Sequence, residues 1–470
     1  MTKSISRKKY LFKNTAIFTL GNLGTKLIAI FLVPIYTNIL TTAQFGIVDL
    51  ISTLVTVLAP ITTLNIAEAV MRFCLDKDAD QDSIIKIGNW SLLISSIFAL
   101  ILVPIFMMFN DLKEYSWYIY WYTASAGVSQ ICLSTLRGKE QLVEYSVGSI
   151  VNSFFVAVLN ILFLVVWKMG IEGYLLAYII SGFITAIYAF IAGKMWKYLN
   201  GMSINYKLLS TMLKFSIVLI PNSFMWWIMN SSDRIMITAL IGASANGLYA
   251  VACKIPMTVS TLTRIFVQAW NYSAIKEEES EDRDEYSSMI FKRLLEILVL
   301  CAIGVMIVIK PFMYIYVNRQ YFSAWEYVPC LMIGVVFLTL GTFLSSSYTV
   351  HKDSWGFLKS GMAGAIMNVI LNWALIPLIG IEGAALATCL SYIAVFVYRI
   401  FDTKKYIHLV IFDKGNILGI LAMLAVSVLC YFDGIAPVSG MFLILFFTLY
   451  LYRKTFIMVF EMVKRKSSKS

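Results

Sequence analysis

The sequence predicts an all-α polytopic membrane protein of about 14 transmembrane helices, with two six-helix lobes related by pseudo-two-fold symmetry plus two C-terminal helices. Three observations lead there. Of the 470 residues, 59% are hydrophobic and only 14% charged, more apolar side chain than a water-soluble core can hold. Apolar runs of ~20 residues follow one another along the chain. A short motif, Gly170-Ile171-Glu172-Gly173, returns as Gly380-Ile381-Glu382-Gly383.

The runs fall at 12–37, 44–70, 84–109, 115–136, 142–167, 172–196, 208–232, 245–270, 288–311, 325–349, 355–379, 382–403, 416–432 and 437–460. Positive residues collect in cytoplasmic loops, so they set the orientation. With the N-terminus inside, most of the 38 Lys and Arg lie in inner segments, while Lys113, Lys168, Arg234, Lys310 and Arg319 lie in outer ones. Both ends are therefore expected in the cytoplasm. The net charge of +11 has this topological role and does not point to nucleic acid. The stretch Met1 to Lys13 resembles the basic flank of a signal peptide. The apolar run after it is too long and lacks a small-residue cleavage site, so it reads as a retained first helix. The seven cysteines are scattered without a CxxC and read as small apolar residues.

The loops are short, and no extramembrane domain is expected. The acidic run Glu277, Glu278, Glu279, Glu281, Asp282 reads as a solvated loop. Asp76, Asp78, Asp80 and Asp82 imitate the metal-binding DxD of a glycosyltransferase, but nothing resembling a nucleotide-binding domain surrounds them.

The two GIEG copies each open a span and are separated by six spans, an even number. The copies then share one orientation, and their symmetry axis runs along the membrane normal. Gly138-Lys139-Glu140 has a loose echo in His351-Lys352-Asp353, and Ala43 to Gly46 in Ala243 to Gly247. The lobes are expected at 1–200 and 201–405, with 406–470 holding the two additional helices and a basic tail.

In the first run, Thr15, Thr19, Asn22 and Lys26 share one helical face. Lys26 stands roughly 21 Å into a hydrocarbon layer ~30 Å thick. An intramembrane cation is expensive and faces a cavity or a partner, unless it snorkels outward. The second run carries Asp49, Thr53, Thr56, Pro60 and Thr63 on one face, and the eighth carries Lys254, Thr258, Thr261 and Gln268. The seventh has a looser stripe of Asn222, Trp226, Asn230 and Asp233.

Four polar faces on symmetry-related helices suggest one central cavity, with Lys26, Lys254, Asn22, Asp49, Arg264, Asn222, Asn230 and Thr258 as candidate substrate-binding residues. Two ammonium groups in a low-dielectric cavity attract a phosphate or pyrophosphate. Arg264 either joins them or anchors at the cytoplasmic interface. Asp49 either neutralises a lysine, holds a coupling ion or lies at the outer boundary. Glu68 and Arg72, one turn apart, are expected to pair. Trp226, Trp227 and Trp270 either stack on sugar rings or anchor at the interface. Pro34, Pro60, Pro221 and Pro256 permit bending in these helices or kink them statically. His351 and His408 are the only histidines and fall at loops or helix ends, so no catalytic residue, metal site or cofactor is expected. A membrane polymerase or acyltransferase is disfavoured on the same ground.

An ordered series of short motifs carries a family resemblance. It comprises Phe12-Lys13-Asn14 to Pro34-Ile35-Tyr36, Ala43-Gln44-Phe45-Gly46, Ala69-Val70-Met71-Arg72-Phe73, Gly247-Leu248-Tyr249 to Ala252-Cys253-Lys254, and the two GIEG helix starts. Together they resemble the polysaccharide repeat-unit flippases of bacteria, which belong with the multidrug and toxin extrusion transporters and the lipid II flippases. The resemblance implies a V-shaped central cavity and alternating access in the bacterial cytoplasmic (inner) membrane. The implied substrate is an undecaprenyl-diphosphate-linked oligosaccharide destined for O-antigen, capsule or exopolysaccharide. It implies membrane lipid and polysaccharide-assembly proteins as partners, leaves H+ or Na+ coupling open, and matches Lys254 and Arg72 to basic residues of the family. A lipid II flippase or a multidrug antiporter is the alternative; a cavity lined by lysines argues against the antiporter.

Overall fold

The computed structural model describes residues 28, 30–76, 79–199, 205–411, 413–453 and 455, apart from the side chains of 222, 223, 226 and 276. Lys26 and Asn22 lie outside the described residues, as do Lys77 and Asp78. Every regular element among the described residues is helical. Nine helices there are long and apolar enough to cross a membrane, and shorter apolar helices stand at Ile30–Ile39, Lys414–Leu429 and Ile435–Leu451. The chain is a multi-pass membrane protein. Its contacts divide it into two compact units, Met1–Trp227 with Gly242–Gly247, and Ile228–Ile241 with Leu248–Ser470.

The first unit holds α1 (Ile30–Ile39), α2 (Thr42–Thr62), α3 (Ile66–Cys74), α4 (Gln81–Ala99), α5 (Leu102–Met107), α6 (Ser116–Gly138), α7 (Leu142–Asn160) and α8 (Gly170–Ala192). The early part of α9 (Tyr206–Leu240) and the first residues of α10 (Ala243–Lys276) belong to it too. Its central helix is α6, which packs on α2, α3, α4, α7 and α8. Buried Thr123, Ser125, Ser134 and Thr135 lower the hydropathy of α6, and α6 is absent from the nine apolar spans. A helix enclosed by its own unit needs less apolar surface than one facing lipid.

The sequence expects one continuous span over 44–70; the structure breaks it. Pro60 has no N–H for the carbonyl one turn back, and the Thr62 and Thr63 hydroxyls bond back to Leu58 and Ala59 carbonyls. Leu64 and Asn65 then take left-handed conformations, at φ 48° and 54°, before α3 begins. Arg72 at the end of α3 pairs with Asp76 one turn on, where the sequence expected Glu68 one turn back. The tip of α2 meets the start of α10 backbone to backbone. A Cβ on Gly46 would meet the Ala243 carbonyl oxygen at 1.8 Å, and one on Gly247 the Thr42 oxygen at 2.0 Å. Asn246 donates to the Gly46 carbonyl at 2.8 Å, and the Thr42 and Ser244 hydroxyls lie 2.7 Å apart.

The second unit holds the rest of α9 and α10, then α11 (Arg283–Tyr316), α12 (Val328–Leu344), α13 (Ser346–Val350), α14 (Ser354–Ile379), α15 (Ile381–Thr403), α16 (Lys414–Leu429) and α17 (Ile435–Leu451). Its packing repeats that of the first: α12 lies on α15 as α6 lies on α8, and α14 on α15 as α7 on α8. The last two helices pack on α11, with α16 also on α12. Lys292 to Asp413, and Lys310 to Asp433 at 2.6 Å, tie α11 to the flanks of α16.

The repeat extends to single hydrogen bonds. In the turn after α6, Lys139, Glu140 and Gln141 N–H groups donate to Thr135, Arg137 and Leu136 carbonyls. In the turn after α13, His351, Lys352 and Asp353 donate to Ser347, Thr349 and Tyr348 in the same pattern. Glu140 and Lys352 are both left-handed, at φ 57° and 56°. The opening glycines of the two GIEG copies match as well, Gly170 at φ 61° and Gly380 at φ 67°, a conformation that glycine adopts without steric cost. Asp353 caps α14 through the Gly356 N–H at 2.8 Å and accepts from the Tyr406 hydroxyl at 2.9 Å. These bonds, the backbone one first, hold its carboxyl below the usual carboxylate range.

Candidate functional site

Charged and amide side chains in a hydrocarbon layer must find partners within the protein. The second unit meets this demand with a network drawn from four helices. Asp233 of α9, 4% exposed, accepts from the Tyr249 hydroxyl of α10 and lies 3.5 Å from the Thr388 hydroxyl of α15. Asn368 of α14 reaches Thr388 at 3.4 Å and accepts from Ser232 at 3.1 Å and from Asn372 at 2.9 Å. Asn372 is fully buried, and its carbonyl oxygen Oδ1 has no partner among the described residues. Carboxylate, hydroxyl and amide oxygens form a donor set suited to a proton or a hard cation. Among the described residues no three His, Cys, Asp or Glu side chains stand together as a metal site.

The first unit has a different buried cluster. Tyr36 of α1 meets Tyr174 of α8 edge to face at 5.1 Å, Tyr174 lies 4.8 Å from Tyr178, and Tyr122 of α6 lies 5.5 Å from Tyr178. Asp49, 7% exposed, sits on α2, which packs against both α6 and α8.

Of the residues expected to bind substrate, Asp49 lies in the first unit and Asn230, Lys254, Thr258 and Arg264 in the second. Asn222 lies on α9 within the first unit, its side chain outside the described residues. Lys254 is half-buried on α10, about 17 Å from the start of that helix. Two residues on, Pro256 interrupts the helical bonding. Thr258 donates its hydroxyl to the Lys254 carbonyl at 2.8 Å, so its proton is spent on its own helix. Asn230 accepts from the Tyr392 hydroxyl at 3.1 Å. Arg264 is exposed. Arg234, placed by the sequence in an outer loop, is buried inside α9, which continues to Leu240.

Trp270 is 5% exposed, stacked on Phe343 at 4.4 Å, with its N–H on the Ser346 hydroxyl at 2.9 Å, and so is sealed from a sugar. The Asp233 network escapes a reading by stripes, because each helix contributes only one or two of its groups. The pair Asn368 and Asn372, one turn apart in an otherwise apolar span, is the signal that could have exposed it.

Two units of repeated helical packing, each with buried polar groups, define the fold class of this multi-pass membrane protein. Known structures agree on the fold. A lipid II flippase, MurJ, in an inward closed conformation matches with a TM-score of 0.67 at 15% identity, over 95% of this chain and 99% of that one. An inward-facing multidrug resistance MATE family transporter of the MOP superfamily matches with 0.63 at 14%, over 83% and 94%. A MOP superfamily transporter from Pyrococcus furiosus, described as having a binding pocket of reverse polarity, matches with 0.55 at 14%, over 84% and 93%. Among curated proteins no match is found. The polysaccharide biosynthesis protein family model matches residues 11–272, and the chain belongs to that family.

Proposed function

We propose that the chain is a flippase, not an enzyme, that moves an undecaprenyl-diphosphate-linked oligosaccharide repeat unit from the inner to the outer leaflet of the bacterial cytoplasmic membrane. The product would feed O-antigen, capsule or exopolysaccharide assembly, and both termini would lie in the cytoplasm. Lys254 carries the reading: an ammonium group half-buried midway along a membrane helix favours an anionic ligand, and a diphosphate supplies one. Family membership supports the surface-polymer context. The two-unit fold supports alternating access as the means. A membrane potential positive outside favours outward movement of an anionic head group by ~2.3 kcal/mol per charge per 100 mV. The Asp233 network is the element that would hold H+ or Na+ for coupling.

The test is complementation in a strain lacking its own repeat-unit flippase. Surface polymer returns with the wild type and is lost with Lys254→Ala at equal membrane abundance. Unchanged polymer in the variant removes Lys254 from substrate binding, and no polymer with the wild type removes the proposed substrate. Lipid II is the second reading, favoured by the match to the lipid II flippase over nearly the full length of both chains. Rescue of cells depleted of that flippase would support it.

A further inference from the structure

We propose that Trp227, with Phe224, forms an aromatic platform for a pyranose ring of the cargo; this deepens the flippase reading above and rests on it. The two side chains stand one turn apart on α9, just past Pro221, in the part of the helix that belongs to the first unit. Their rings lie nearly parallel, at 14°, with centroids 5.8 Å apart. The indole cannot turn freely, because its N–H donates to the Thr53 carbonyl of α2 at 3.0 Å. That carbonyl also accepts the Thr56 hydroxyl at 2.7 Å, which places a polar group beside the indole edge.

Depth separates this arrangement from an interfacial anchor. A tryptophan at the lipid–water boundary turns its N–H toward the head groups. Thr53 lies about 17 Å along α2 from Thr42, and the N–H of Trp227 is spent there on a helix carbonyl. The ring faces are not sealed as those of Trp270 are: Phe224 is 42% exposed and Trp227 half-buried. A rigid aromatic face with carbonyl and hydroxyl groups at its rim matches a sugar ring, whose C–H face is apolar and whose edge is polar. Exposed Thr56 supplies that rim chemistry on α2 through its hydroxyl.

The experiment measures binding of two probes to the full-length protein in nanodiscs. One is undecaprenyl diphosphate, and the other is the same carrier bearing a single N-acetylhexosamine. Wild type is expected to bind the sugar-bearing carrier more tightly. Trp227→Ala should weaken that carrier about tenfold and leave the bare one unchanged, while Trp227→Phe keeps most of the preference. Phe224→Ala, which leaves the Thr53 bond intact, should weaken the sugar-bearing carrier by a smaller factor and guards against a misfolded Trp227 variant. Equal losses for both carriers, or none, overturn the platform while the flippase reading stands. A wild type that binds neither carrier overturns the reading and the platform together.

Discussion

Asn160 and Asn372 occupy the same place in the two units, an equal distance along α7 and α14 from the shared turn that precedes each helix. Both are fully buried, and both leave Oδ1 without a partner among the described residues. One turn earlier the repeats part. The first unit has Val156, so Asn160 donates to the Val156 backbone carbonyl at 2.7 Å. The second has Asn368, so Asn372 donates to its side chain and joins the chain of groups leading to Asp233. Likewise Tyr178 and Thr388 hold matching places after Gly170 and Gly380. The tyrosine packs into an aromatic cluster, and the threonine into the hydrogen-bond network. One backbone thus supports an aromatic cluster in one unit and an oxygen-rich network in the other. The difference makes the second unit the place to test for the ion coupling proposed above.

Substitutions make that test. Asp233→Ala removes the buried charge and should cut transport by about 100-fold, the scale of breaking a buried ionic or hydrogen-bonded partner. Transport by liposome-reconstituted protein, measured with and without an Na+ or pH gradient, reads it. Asn368→Val gives the second unit the arrangement of the first. It should leave the fold intact but weaken ion-dependent transport about tenfold, as expected for hydrogen bonds lost from buried groups. Full activity in this variant would break the comparison. Tyr178→Phe in the first unit should lower stability by about 1 kcal/mol and leave ion dependence unaltered, read from thermal unfolding in detergent.

The smallest effect concerns the matched turns. Gln141 occupies the position of Asp353 with nearly the same backbone, φ −83° and ψ 65° against φ −85° and ψ 76°, but makes no cap bond. Gln141→Asp should supply the missing cap to the Glu144 N–H and stabilise the protein by about 1 kcal/mol at pH 7. A carboxylate held below its ordinary range, as at Asp353, stabilises the fold above its unfolded titration point near pH 4. That gain is lost as the pH falls through the folded value, so the variant and wild type should converge in acid.

Much of the fold was legible because lipid imposes an apolar run on each span, and the GIEG copies marked the repeat. The break at Leu64 and Asn65 was not, since the apolar run passes straight through it and Pro60 lies a full turn earlier. The length of α9 was hidden because Arg234, just past the Asp233 end of the polar stripe, reads as an outer-loop cation until its burial inside the helix is seen. Lys254 was readable as a charge out of place in an apolar run. The tyrosine cluster was not, because Tyr174 and Tyr178, one turn apart on α8, gain their partners from single tyrosines on α1 and α6.

The crossing at Gly46 and Gly247 has a mechanical consequence. At the two glycines the backbones meet directly, flanked by the Asn246 amide and the Thr42 and Ser244 hydroxyls, so any widening loses those bonds together with the carbonyl packing. Such a joint has no room for a side chain at either glycine. Gly46→Ala should therefore part the two helix ends, read as a longer separation between probes at Thr42 and Ser244 than in the wild type.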